Sequence, residues 1–367
     1  MHRIETQFAG RPLVIETGRL AKQAAGSVLV QYGETTVLAA VTVSPNVTHL
    51  PFFPLTVEYK EKTYAAGKIP GGFLKREGRP SDDEILNCRI IDRSIRPLFP
   101  EGFRHEVQVF VTVLSTDQQN ESDVIGVLAA SAALAISEIP WNGPIAAARV
   151  GKVENNWILN PTFQQLEFSS MDLVVAGLKD SVMMVEGGAL EVSEAEVLDG
   201  LKVAQLGIVE QVKLINDLVK KVGKTKMAWV APEKDAELVK AVKGAAEKAM
   251  AKAMNAKDKA GRAAGVSTVR KEAQAALAEK FPERAKEIAN ELEDIEYHAM
   301  RAQILDKGER IDGRDLETIR PITPEVGVVP RVHGTAVFTR GETQAFVAVT
   351  LGTAEDEQRI DSIEVPG

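Results

Sequence analysis

The chain has 367 residues, is 44% hydrophobic and 26% charged, and carries a formal net charge of −8. That length supports two or more packed domains. No stretch is apolar enough to span a membrane, and the start Met1-His2-Arg3-Ile4-Glu5 lacks the basic-then-apolar layout of a signal peptide. The protein therefore reads as soluble and cytoplasmic, with no membrane partner. Cys88, the single cysteine, cannot by itself make an internal disulfide or a cysteine metal site. The negative balance argues against a nonspecific coat on nucleic acid, so any RNA contact must come from a local basic patch.

Residues 1–213 are rich in β-branched runs with Gly and Pro punctuation. Gly26 to Thr42 reads as strand, Gly33-Glu34-Thr35 turn, strand: a β-hairpin. Tyr64 to Pro80 is dense in glycine and proline and reads as a loop. It carries Lys68, Lys75, Arg76 and Arg79 around Phe73. Cations that track phosphates and a ring that stacks on a base suit single-stranded nucleic acid; the alternative is a solvated surface loop. No Gly-Lys-Ser/Thr opens the next helix, which excludes a triphosphate-binding loop. Ser81 and Glu84 have capping-box spacing and predict a helix from about Asp82, ended by Pro97. On it Arg89, Arg93 and Arg96 share one face, with Cys88, Ile91 and Ile95 as an apolar flank. An arginine fork can donate two hydrogen bonds to a phosphate, so this face can wall a backbone channel. Pairing within the domain, for instance Arg96 with Asp92, is the alternative.

Val107 to Val113 reads as a half-buried strand and Val124 to Ser137 as a small-residue helix. Strands mixed with helices indicate an α+β or α/β domain. Residues 214–303 read as a helical domain: from about Pro232, Ala, Lys and Glu dominate and β-branched runs disappear. From 304 the β-type composition returns. Gly334 to Thr350 aligns without gaps on Gly26 to Thr42, with seven of the seventeen positions identical. The first copy is followed by a domain of its own and the second by little more than Leu351 to Gly367. Residues 304–367 are therefore expected to be the truncated start of a second domain, with an exposed sheet edge. The histidines show no metal-ligand spacing, and no Gly-x-Ser-x-Gly elbow appears.

Several strings together carry a resemblance: Phe52 to Glu58, Thr63 to Pro70, Lys75 to Pro80, Ile91 to Phe103, Asn142 to Ile145, Arg310 to Arg314 and Phe338 to Gln344. In them the chain closely resembles bacterial polynucleotide phosphorylase, over nearly its whole length and in its N-terminal portion. The resemblance implies an α+β RNase PH-like domain, an all-α domain and the start of a second RNase PH-like domain. It implies a ring-shaped homotrimer that degrades single-stranded RNA in mRNA turnover, with RNA degradosome components as partners. The implied reaction is 3′-to-5′ phosphorolysis with inorganic phosphate and Mg²⁺, releasing nucleoside diphosphates and reversible as polymerisation. Phe73, Leu74, Lys75 and Arg76 then lie at the channel constriction, with Leu74 replacing a second aromatic, and Arg79 joins them. Arg93 and Arg96 approach the catalytic site in a supporting role. The phosphate-binding segment and the metal carboxylates, in an Asp-x5-Asp-x-Lys pattern, are expected past Gly367. The first domain has Leu166, Asp172 and Val174 at those positions. Leucine and valine cannot hold Mg²⁺ or phosphate, so Asp172 is expected to be structural and the fragment alone inactive. A non-catalytic RNA-binding or ring-forming protein is the second reading; a stand-alone tRNA-trimming enzyme leaves the helical stretch and the second hairpin unexplained.

Overall fold

The computed structural model describes all residues except 49, 51, 72, 231, 232, 257, 358–361 and 364–367. Pro232 and Gly367, where boundaries were read from the sequence, thus lie outside the described residues. The chain divides into two compact units, residues 1–231 with 359–367, and residues 232–358.

In the first unit β1 (His2–Phe8), β2 (Arg11–Thr17), β3 (Gly26–Tyr32) and β4 (Thr35–Val47) run antiparallel in succession. The next strand, β5 (Leu55–Glu61), is the far edge of the sheet and pairs parallel with β6 (His105–Ser115), which returns to pair antiparallel with β4. The alternation of Val107, Val109, Val111 and Val113 places four fully buried valines on one face of β6, as the two-residue period of a strand requires. Between β5 and β6, α1 (Asp82–Ile95) packs on β5.

A second, antiparallel sheet holds β7 (Ala146–Val153), β8 (Asn156–Leu159), β9 (Met171–Gly177) and β10 (Val182–Ala189) in the order β10-β9-β7-β8. Helix α2 (Asp123–Ile136) touches β3 and β4 of the first sheet and β7 of the second, and all its residues are buried. A helix apolar on every side has no solvent face to offer. Its close approach to β3 depends on Gly26, where a Cβ would stand 2.2 Å from the carbonyl oxygen of Ala133.

The short α3 (Phe163–Glu167) precedes β9, and α4 (Glu194–Val222) packs on β7 and β9. The boundary expected at 213/214 falls inside α4, which buries Leu214, Ile215 and Leu218 in the first unit's core beyond it. The compact unit accordingly runs to residue 231. Charged residues occur along α4 from Glu194 and Glu196 in its first turn to Lys220 and Lys221 in its last, so composition does not mark where it leaves the core.

In the second unit α5 (Ala236–Met254), α6 (Lys259–Ala278) and α7 (Ala285–Lys307) form an all-α core. Leu238, Val242, Ala246, Met250 and Met254 recur every four residues on α5 and are buried, the stripe an amphipathic helix needs. Helix α7 continues past the boundary expected at 303/304. The strands β11 (Ile322–Val326), β12 (Gly334–Arg340) and β13 (Thr343–Val349) follow as one antiparallel sheet. The predicted hairpins are both present, with Tyr32 opposite Thr35 and Arg340 opposite Thr343. Their turn glycines, Gly33 and Gly341, have φ of 60° and 62°, positive as the first position of a tight hairpin turn demands. Among the described residues no helix is long and apolar enough to cross a membrane.

Candidate nucleic-acid interface

The basic loop leaves the body through a 3-10 turn, Thr63–Ala66, and returns at the start of α1. The turn is tied to the sheet by the Thr116 amide, which donates to the Ala65 carbonyl at 3.1 Å. At the other end the predicted capping box is complete: Glu84 N donates to Ser81 Oγ at 3.1 Å, and Ser81 N to Glu84 Oε2 at 2.7 Å. Glu84 is buried, and its other oxygen accepts from Glu61 N at 2.8 Å, joining the helix start to β5.

Between these anchors Phe73 is 98% exposed and Leu74 70%, an arrangement that no core explains. Lys75 has φ of 50°, a left-handed conformation uncommon outside glycine. Lys75, Arg76 and Arg79 are exposed, and none of them has an ion pair among the described residues.

The arginine face of α1 is divided. Arg89 is exposed. Arg93 donates to Glu186 of β10 at 3.0 Å, with both side chains nearly half exposed. Arg96, just past the helix end, donates to both carboxylate oxygens of Asp92 at 2.8 and 2.6 Å and to the carbonyls of Phe53 and Leu55. Its guanidinium also lies 5.9 Å from the Phe53 ring centre. The pairing weighed as an alternative therefore holds for Arg96 and Arg93, since Asp92 sits one helical turn before Arg96 and β10 lies alongside α1.

Beside α1, β7, β9 and β10 enclose a cavity of about 680 Å³. Its lining includes Asp83, Glu121, Asp123, Asp172 and Glu186, with Arg149 the one cation among the described lining residues. The Arg149 guanidinium donates to Asp172 at 2.6 and 2.7 Å, to Glu121 at 2.7 Å and to Asp123 at 2.7 Å. Burial disfavours its charge, but Asp123, Glu121 and Asp172 outweigh that and push its pKa up. Asp123 is itself buried at the first turn of α2, where the helix dipole favours an anion. Of the positions compared with the Asp-x5-Asp-x-Lys pattern, Leu166 lies on α3, Asp172 and Val174 on β9, and Val174 is buried directly opposite Arg149. Sequence reading singled out Asp172 but missed Arg149, Glu121 and Asp123. The available signal was one arginine inside the apolar run Ile145 to Val150, since a charge on a buried strand must be paired.

The description "3′ exoribonuclease family, domain 1" matches residues 9–140, and "3′ exoribonuclease family, domain 2" matches residues 143–207. The chain belongs to the 3′ exoribonuclease family. Residues 237–315, covering α5 to α7, match "Polyribonucleotide nucleotidyltransferase, RNA binding domain". Over its full length the chain is 60% identical to the polyribonucleotide nucleotidyltransferase of Gemmatimonas aurantiaca, covering 50% of that protein. It is 47% identical to the one from Geotalea daltonii over 98% of the chain and 52% of that protein. For the Thermus thermophilus protein the identity is 46%, over 99% of the chain and 52% of the relative. The chain thus spans about half the length of the curated relatives it matches, and it carries the exoribonuclease fold in its first unit and the helical RNA-binding domain in its second.

Proposed function

We propose that this chain serves in 3′-to-5′ phosphorolysis of single-stranded RNA. In that reaction inorganic phosphate attacks the 3′-terminal linkage and releases a nucleoside diphosphate, reversibly as polymerisation. Within it, residues 1–367 supply RNA guidance: Phe73 and Leu74 meet bases, and Lys75, Arg76 and Arg79 meet phosphates, with Arg89 and Arg93 flanking them. The observation that carries the reading is an almost fully exposed Phe73 beside Lys75, Arg76 and Arg79, which have no ion pair among the described residues, on a loop anchored at both ends. Whole-length similarity to polyribonucleotide nucleotidyltransferases supports the reaction.

The Arg149 cavity has a different place in this reading. Glu121, Asp123 and Asp172 converge on a guanidinium, so these carboxylates do not fit a Mg²⁺ ion, and the acidic excess of the described lining repels phosphate. Asp172 is structural here, and no step of the reaction is assigned to this cavity. Mg²⁺, a homotrimeric ring, RNA degradosome components, mRNA turnover and a cytoplasmic location belong to the same proposal through the family. The second reading, an RNA-binding or ring-forming chain without chemistry of its own, is favoured for these residues by the closed state of Arg149.

The test is phosphate-dependent release of nucleoside diphosphates from oligoadenylate, by this chain and by the full-length Gemmatimonas aurantiaca relative. Release by the relative alone supports guidance without chemistry in residues 1–367. Release by this chain would overturn the structural role given to Arg149 and Asp172.

A further inference from the structure

The exposed loop is also fastened by one of its own side chains. Glu77 Oε2 accepts from Lys62 Nζ at 2.5 Å, and Glu77 Oε1 accepts from the amide and hydroxyl of Thr63 at 3.3 and 3.4 Å. Lys62 and Glu77 are each about one-third exposed, at 32% and 35%. The ammonium of Lys62 holds the Glu77 carboxyl below the usual carboxylate range, and Glu77 raises Lys62 in turn. Lys62 and Thr63 lie at the 3-10 turn that Thr116 ties to the sheet. The contact therefore returns the chain to fixed structure immediately after Lys75 and Arg76, four residues before the helix cap at Ser81 does so.

A carboxylate beside phosphate-binding cations is electrostatically unfavourable for RNA, because it repels the ligand they attract. Its presence next to Arg76 calls for a role that outweighs that repulsion, and the contacts to Lys62 and Thr63 provide one. We propose that Glu77 is a positioning residue for RNA: by closing the loop onto Lys62 and Thr63 it presents Phe73, Lys75 and Arg76 in one arrangement. This inference rests on the reading of the loop as an RNA contact. A loop that samples its binding arrangement only part of the time binds more weakly in proportion, and ordering it beforehand removes that loss.

The two possible effects of Glu77 have opposite signs, which makes the test sharp. Affinity for a 5′-fluorescein-labelled oligoadenylate is measured for the 367-residue chain, for Glu77→Gln, for Lys75→Ala with Arg76→Ala, and for the three changes together. Amide hydrogen exchange across residues 68–76 and the unfolding midpoint by tryptophan fluorescence are measured on the same proteins. Trp141, Trp157 and Trp229 all lie in the first unit and report its unfolding. Positioning predicts that Glu77→Gln weakens binding on the order of fivefold, speeds exchange at 68–76 and leaves the midpoint in place. It also predicts a smaller further loss in the background lacking Lys75 and Arg76, where only Phe73 remains to be positioned, since coupled residues are not additive. Equal or tighter binding by Glu77→Gln, or unchanged exchange, overturns the proposal, as does a loss that adds in full to that of Lys75 and Arg76. If instead Lys75→Ala with Arg76→Ala binds as the unaltered chain does, the RNA reading of the loop fails first, and the positioning role falls with it.

Discussion

The first unit uses cationic side chains in two opposite ways. On the loop, Lys75, Arg76 and Arg79 stand exposed around Phe73; in the cavity, Arg149 is buried and donates to three carboxylates. Both clusters lie next to α1. The difference teaches that the presence of arginine says little about phosphate binding until its hydrogen bonds are counted. A guanidinium whose two terminal nitrogens are already held by carboxylates, as in Arg149, holds structure together; one facing water is available to a ligand. Arg93 stands between the two, exposed enough to reach solvent yet paired with Glu186.

The sharpest way to break this comparison is to remove the locked cation. Arg149→Met leaves Asp123 buried without its partner, and breaking a buried pair from one side costs about 3–5 kcal/mol. Urea unfolding followed by tryptophan fluorescence should show that loss, while oligoadenylate affinity of the folded fraction stays within about twofold. A large loss of affinity with intact stability would place RNA at the cavity.

On the loop the expected pattern is reversed. Phe73→Ala should lower oligoadenylate affinity by about 1–3 kcal/mol, the usual worth of a base-stacking ring, without moving the unfolding midpoint, because a side chain 98% exposed packs against nothing. Lys75→Ala with Arg76→Ala should weaken binding on the order of tenfold and flatten its logarithmic salt dependence by about 1.4, two single-strand phosphate contacts' worth. An unchanged slope in a salt titration would remove both residues from the phosphate-contacting set.

The smallest effect expected is a pH dependence away from both clusters. Lys152 on β7 donates to Glu196 in the first turn of α4 at 2.6 Å, and with Ser193 it lowers the Glu196 carboxyl to about 2. A carboxyl depressed in the folded state stabilises above its unfolded value and ceases to do so as pH falls. The contribution should therefore fade between about pH 4.5 and about 2. Glu196→Gln should flatten acid unfolding in that window and leave neutral-pH RNA binding untouched; an identical acid profile would show that the contact adds nothing in solution.

How far the sequence could be read depends on the range of the interactions involved. The capping box at Ser81 and Glu84, the two hairpins and the valine alternation of β6 were legible because partners four residues or fewer apart, or a two-residue period, decide them. Exposure of the basic loop was legible from its glycines, prolines and charges. The end of the first unit was not, since α4 mixes charged residues with core residues along its whole length and still buries Leu214, Ile215 and Leu218. Nor was the anchoring role of Glu77, which depends on where residues 62 and 63 come to rest.

The two copies of the hairpin show the division most plainly. Similar local patterns, identical at seven of seventeen positions, produce the same register and the same left-handed turn glycine in both. Yet β4 buries every second residue over its first seven, while β13 is exposed throughout. Gly26 stands against the Ala133 carbonyl, whereas the nearest atom to a Cβ at Gly334 is 3.7 Å away on Val349. The sequence by itself determined strands, turns, caps and the exposed basic loop, because backbone geometry and side-chain period act over a few residues. Only the tertiary structure decided how the first hairpin is buried and which arginine is free. Those outcomes depend on α2 meeting β3 and β4, and on Glu121 and Asp123 at the start of α2 and Asp172 of β9 coming together around Arg149.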